Sequence, residues 1–293
     1  MRSTADQYRI IATGAGWIDR ADRGRLRFDG RDALRFLQGL VTNDVQPLAE
    51  GRSVYAAYLT PQGRMVSDLT IHPRGDHFIV EVPAAAAKAL ALKFDELIFT
   101  EDVRVSDVSE SVAQLSLVGG GAPALAGTAG GVDLFVDAAD RGALIARLES
   151  LGAIQVSRDL FDALRIDAGR PEFGVDMTED TIPLEAGLLD RAISTTKGCY
   201  VGQEIIIRVL HRGGGRVARR LVRLQFDPRV TTPPAAGTPI ARNGHDVGRI
   251  TSAAVSPATG RVVALGYVQR DHAEAGVTID AGGHAAEIVG FAG

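Results

Sequence analysis

The chain has 293 residues, 45% of them apolar and 23% charged, with a net charge of −4. That balance is globular and excludes disordered and collagen-like classes, and the length allows one large domain or two to three smaller ones. There is no basic excess and aromatics reach only 5%, so direct nucleic-acid binding through a charged face or a base-stacking platform is not expected.

In chain order, Asp29 to Leu40 reads as a helix capped by Asp29, with Ala33, Leu34, Phe36, Leu37 and Leu40 at helical spacing. Val54 to Leu59 and Met65 to Ile71 read as strands joined by the turn Thr60-Pro61-Gln62-Gly63, a hairpin. Phe78 to Val82 is a further strand, and Pro83 then suits the first turn of an Ala-rich helix running towards Phe94. Gly119-Gly120-Gly121-Ala122-Pro123 is a connection, because no Gly-Lys-Ser/Thr follows to make a phosphate loop. Helices are expected from Asp140 to Leu151, stopped by Gly152, and from Phe161 to Ala168. Gln203 to Leu210 suits a helix, although Ile205-Ile206-Ile207 would suit a strand equally.

The clearest boundary is Gly213-Gly214-Gly215, giving an α+β region over 1–215 (two interleaved subdomains) and a β domain over 216–293. Five short strands are expected beyond it: Arg220–Phe226, Pro239–Arg242, Asp246–Ala254, Val262–Val268 and Ala285–Ile288. With Asn243-Gly244 as a two-residue hairpin signal, they suggest a small antiparallel barrel.

The single cysteine, Cys199, cannot form an intrachain disulfide or supply the four thiolates of an iron–sulfur cluster. A reducing, cytoplasmic setting is expected. The opening residues lack the apolar core of a signal peptide, and no run reaches the roughly 18 apolar residues of a membrane helix. The six histidines show no metal-ligand spacing with each other or with Cys199, so no intrinsic metal is expected.

Cys199 lies in Lys-Gly-Cys-Tyr-Val-Gly-Gln-Glu, residues 197–204. Gly198 and Gly202 permit backbone conformations closed to other residues, and Lys197 supplies a cation that favours a thiolate. If a helix starts at Gln203, its dipole acts in the same direction. The alternative is a buried structural cysteine in a tight turn.

That stretch, with Tyr200 and Glu204 in place, resembles the signature of the YgfZ family, folate-binding relatives of the glycine-cleavage aminomethyltransferase. The resemblance extends to residues 28–45, Leu59 to Asp68, Leu164 to Gly174 and Ile182 to Leu188, and so covers nearly the whole chain. It implies a GcvT/YgfZ-like α+β fold, with ferredoxin-like units around a central folate site and a C-terminal antiparallel barrel. It also implies tetrahydrofolate or a derivative as cofactor. The function implied is an accessory one, supporting assembly or repair of iron–sulfur proteins, its partners, and through them tRNA modification. Cys199 would be the reactive group; Arg165 and Arg170 are candidates for the folate's glutamate tail, and Glu185 either faces its cavity or caps the following turn. Arg165 could equally pair with Asp162 or Asp167.

Two further readings stand beside this one. A folate-dependent aminomethyl or one-carbon transferase is the first. Against it, transferases carry an Asn-Ala pair and then an acid after the strand matching Phe78–Val82, where this chain has Val82-Pro83-Ala84-Ala85-Ala86-Ala87-Lys88 and no acid before Asp95. Their Gly-Tyr-Thr-Gly-Glu stretch is also missing from the short region Leu115 to Val136. Losing a positioned acid typically costs about 10²–10⁴ in rate. The second is a folate-sensing module without chemistry.

Overall fold

A computed structural model describes residues 2–122, 124, 133–211 and 214–293. Contacts divide the chain into two compact units: Met1–Tyr58, Ser67–Arg158 and Ser194–Val201 form one, and Leu59–Val66, Asp159–Ile193 and Gly202–Gly293 the other. The glycine boundary therefore marks only where the barrel begins. Residues 123, 125–132, 212 and 213, on which parts of the Leu115–Val136 and triple-glycine expectations fall, lie outside the described residues.

The first unit opens with α1 (Thr4–Thr13), whose N-cap Ser3 accepts the Asp6 amide. It continues through β1 (Gly16–Asp19), β2 (Arg23–Asp29), α2 (Ala33–Leu40), β3 (Val54–Leu59), β4 (Met65–Arg74) and β5 (His77–Pro83). A 3-10 turn, Ala84–Ala86, leads into α3 (Ala87–Asp95), followed by β6 (Arg104–Asp107), β7 (Val112–Val118), β8 (Asp133–Asp137), α4 (Arg141–Ser150) and β9 (Ile154–Gln155). Two sheets result, ordered β3-β4-β5-β2-β6 and β8-β7-β1-β9.

The second helix starts four residues later than its periodicity suggests. Asp29 ends β2, where its carboxylate holds Arg27. At Gly30 the backbone takes φ 110°, and a Cβ would stand 2.0 Å from the Asp102 carbonyl oxygen. The chain turns there, and the helix follows Asp32. Ala33, Phe36, Leu37 and Leu40 form its buried face, each large side chain contributing about 1.5–3 kcal/mol, while Leu34, grouped with them by spacing, is exposed.

Asp68 is buried in an ion cluster. Arg23 Nη1 donates to Asp68 Oδ1 at 3.0 Å, Arg23 Nε lies 2.7 Å from Glu81 Oε1, and the Tyr55 hydroxyl donates to Asp68 Oδ2 at 3.1 Å. A buried carboxylate survives only when paired in this way.

The second unit contains α5 (Arg158–Asp167), α6 (Leu189–Ala192), α7 (Gln203–His211) and six strands: β10 (Arg219–Phe226), β11 (Pro239–Arg242), β12 (His245–Val255), β13 (Val262–Gln269), β14 (Thr278–Ala281) and β15 (Ala285–Phe291). They close as β10-β13-β12-β11-β14-β15. Asn243 and Gly244, with φ of 52° and 78°, make the expected hairpin turn between β11 and β12. The near-continuous apolar run of β13 has two partners. Val262, Ala264 and Val268 fill the barrel interior, while Val263, Leu265 and Tyr267 meet Ile166 of α5. That outer layer groups the barrel with residues 159–193. Among the described residues, no helix is long and apolar enough to cross a membrane.

Candidate functional site

The Cys199 loop is held by its lysine. Lys197 Nζ donates to the carbonyls of Gln38, Val41 and Asn43 at 2.6, 2.7 and 2.9 Å. Those acceptors converge because the segment after α2 folds on itself. Gln38 Nε2 donates to Asp44 Oδ1, Gln38 Oε1 accepts from the Val45 amide, and Asn43 Nδ2 reaches the Tyr55 carbonyl. Asn43 and Asp44 also accept from the local amides of Asp44 and Gln46. The Ser194 amide donates to the Thr42 carbonyl and the Lys197 amide to Ser194 Oγ, completing the attachment.

An ammonium has three protons, and here each has an acceptor. Burial pulls Lys197 down to about 8, so it remains charged at neutral pH. Its ammonium anchors the loop, a role its position in the sequence does not announce. Replacing it with Met leaves three carbonyls without their donor, and denaturant titration is expected to show a loss of about 1–3 kcal/mol.

Cys199 itself is exposed, which excludes the buried structural reading. Tyr200 is buried, with the Lys197 ammonium 5.4 Å from its ring centroid, and desolvation pushes its hydroxyl up to about 12. Gly198 is exposed, has no positive φ, and a Cβ there would meet nothing within 4 Å. The expectation that Gly198 needs glycine's freedom is corrected too.

Gly202, Gln203 and Glu204 belong to the second unit. Gly202 does require glycine: its φ is 81°, and a Cβ would lie 2.5 Å from the Thr60 carbonyl oxygen. Gly202→Ala is expected to lower stability by about 1–3 kcal/mol in the same titration. Helix α7 begins at Gln203, resolving the helix–strand ambiguity, with Ile206 buried and Ile207 exposed. Glu204 pairs with Arg208 one turn on, at the surface.

Of the three residues expected to meet folate, Arg165 is already committed. Its Nε lies 2.8 Å from Asp162 and 3.0 Å from Glu172, and Nη1 lies 2.6 Å from Asp176. It is a strut, and the expectation of a free guanidinium fork for a ligand is corrected. Arg170 is exposed. Glu185 is nearly buried; its Oε2 accepts from Arg219 Nε at 3.1 Å, and Oε1 takes no hydrogen bond among the described residues. It lines a pocket of about 250 Å³ with Leu184, Leu189, Leu210, Arg220 and Phe291. That is below the roughly 300–1,000 Å³ of sites enclosing drug-sized ligands. A carboxylate and a guanidinium there suit a single polar ring, and Arg170 suits a carboxylate; Arg165 suits neither.

Sequence reasoning missed Gln38, Val41 and Asn43, because each contributes a backbone carbonyl that its side-chain identity does not announce.

Residues 1–143 match the family described as the GCVT N-terminal domain, and residues 219–290 match the glycine cleavage T-protein C-terminal barrel domain. An aminomethyltransferase of Rubrobacter xylanophilus is 30% identical over 295 residues, covering 89% of this chain and 78% of that protein. One of Bacillus subtilis is 27% identical over 316 residues, covering 95% and 86%. The glycine cleavage system aminomethyltransferase T from Bartonella henselae has a crystal structure that superposes with a TM-score of 0.83 at 21% identity, over 98% of this chain and 88% of that one. The likeness shows a shared fold: α+β units with a closed six-stranded barrel.

Proposed function

The chain belongs to the aminomethyltransferase family of the glycine-cleavage T-proteins, and on that footing we propose that it is a folate-dependent aminomethyl or one-carbon transferase. The observation that carries this reading is the match to proteins named aminomethyltransferase along almost the entire chain, barrel included. Within the chain, Glu185 has a free carboxylate oxygen for a pterin N–H, and the exposed Arg170 can meet a glutamate tail.

A second reading is favoured by two specific features. Cys199 is exposed on an anchored loop, and no carboxylate occurs from Val82 to Phe94. Together they support a YgfZ-type accessory factor that binds tetrahydrofolate and uses the thiol in support of iron–sulfur proteins.

One pair of experiments separates the readings. Purified protein is incubated with tetrahydrofolate and an aminomethyl or methyl donor, and Cys199→Ser is tested beside the wild type, with calorimetric titration of tetrahydrofolate run in parallel. Turnover that survives in Cys199→Ser supports the transferase. Folate binding without turnover, together with loss of iron–sulfur enzyme activity in cells carrying Cys199→Ser, transfers support to the accessory role. Absence of folate binding in both proteins would sink both readings.

A further inference from the structure

Two side chains from the paired strands β4 and β5 and one from β8 converge between the two sheets of the first unit. His72 on β4, Glu81 on β5 and Asp133 at the start of β8 each offer a ligand atom, and these atoms all lie within 4.8 Å of one another. His72 Nε2 is 3.7 Å from Glu81 Oε2. It is buried and has no hydrogen-bond partner among the described residues, a costly position for a ring nitrogen unless something else binds it. The Asp133 carboxylate accepts from Ser116 Oγ and meets no cationic side chain among the described residues.

The remaining atoms are held as an outer shell would hold them. Arg23 Nε lies against Glu81 Oε1, and Gln114 Nε2 donates to Glu81 Oε2 at 2.6 Å. Arg20 Nη1 reaches Ser116 Oγ at 3.3 Å. The His72 ring stands edge-on to Phe135, centroids 4.8 Å apart, which fixes its plane. Partners of this kind orient metal ligands and tune their basicity.

We propose that His72, Glu81 and Asp133 form a binding site for a divalent first-row transition metal, zinc above all. One imidazole and two carboxylates suit zinc and its neighbours rather than magnesium or calcium. In a tetrahedral zinc site the bond lengths place ligand atoms about 3.3–3.5 Å apart. The His72–Glu81 separation is close to that already, and a rotation of the Asp133 carboxylate brings in the third. Three protein ligands leave a fourth position for water, the pattern of zinc sites open to chemistry. No histidine spacing signals this site, because its ligands come one from each of three strands.

The test is calorimetric titration of the chelator-stripped full-length protein with zinc chloride, followed by metal analysis after desalting. One zinc per chain is expected, with a melting temperature that rises with zinc concentration. His72→Phe keeps an aromatic ring against Phe135 and removes the nitrogen; it is expected to weaken binding by more than the ~10–100-fold that loss of an outer-shell partner costs. Asp133→Asn, which keeps the shape, is expected to weaken it too, and Cys199→Ser to leave it unchanged. Absence of zinc binding by folded wild type, or undiminished binding by both His72→Phe and Asp133→Asn, overturns the proposal. So does its disappearance in Cys199→Ser, which would move the ligand set to the thiol.

Discussion

Arg165→Ala is expected to cost the second unit about 3–5 kcal/mol, the loss typical when one partner leaves a buried ion pair. The reason lies in Asp176, whose side chain is fully buried. Its Oδ2 takes Arg165 Nη1 and the Glu172 amide, and its Oδ1 accepts from Thr251 and Ser252 on β12. Without the guanidinium, a carboxylate stays in a dry site with neutral donors only. Asp162 and Glu172 lose their contact with Arg165 as well, though both are partly exposed and matter less. The measurement is denaturant unfolding of Arg165→Ala and of Arg165→Ala/Asp176→Asn. The double variant is expected to recover part of the loss, because the asparagine needs no counter-ion. An Arg165→Ala protein with wild-type stability and greatly weakened tetrahydrofolate binding would instead make this arginine a ligand anchor. Arg170→Ala is the cleaner probe of folate binding, since that exposed side chain makes no ion pair among the described residues.

Arg23→Met is expected to have a similar effect in the first unit, again about 3–5 kcal/mol. In melting experiments this corresponds to a shift on the order of 10 °C. Arg23 lies between Asp68 and Glu81, with both pairs only 6% exposed. Burial raises the Asp68 carboxyl above its ordinary range, so an aspartate stripped of its arginine can escape by taking up a proton. Glu81 behaves otherwise. Burial pushes it up, but the neighbouring His72 ring and the charges of Arg23 and Arg20 outweigh that and hold it well below the carboxylate range. Removing Arg23 therefore falls mainly on Glu81. Combining Arg23→Met with Glu81→Gln is expected to restore part of the stability, and a change below about 1 kcal/mol in the single variant would refute this account.

Legibility in the sequence followed the range of the interactions. The β3–β4 hairpin and the Asn243-Gly244 turn are set by neighbours in the chain, and both lie where their residues point. The barrel was readable from short alternating runs, yet one of its six strands was missed. In β14 only Ile279 and Ala281 are buried, and four residues give too little alternation to register. Helix α1 escaped for a related reason, since just Gln7 and Ile11 of its ten residues are buried. At the site, Cys199 is exposed and Gly202 does need to be glycine, but the roles of their neighbours depend on distant partners. Lys197 meets carbonyls more than 150 residues earlier. Arg165 finds Asp176 only after the chain has turned through Pro171 and Gly174. Whether an arginine is free or committed is decided by such returns, and no local pattern encodes them.

The interleaving of the two units bears on the order in which the protein can form during synthesis. The first unit needs three separate stretches, and the last of them, Ser194–Val201, carries Cys199. The cradle for Lys197 is made early, by residues 38–45, and must wait until about two-thirds of the chain has been translated for its occupant to arrive. At ribosomal speeds of roughly 5–20 residues per second, that delay lasts on the order of ten seconds, during which the three carbonyls remain solvated. The thiol loop is thus the last stretch of its unit to be synthesised, and Lys197 can meet its three carbonyls only once that stretch has been added.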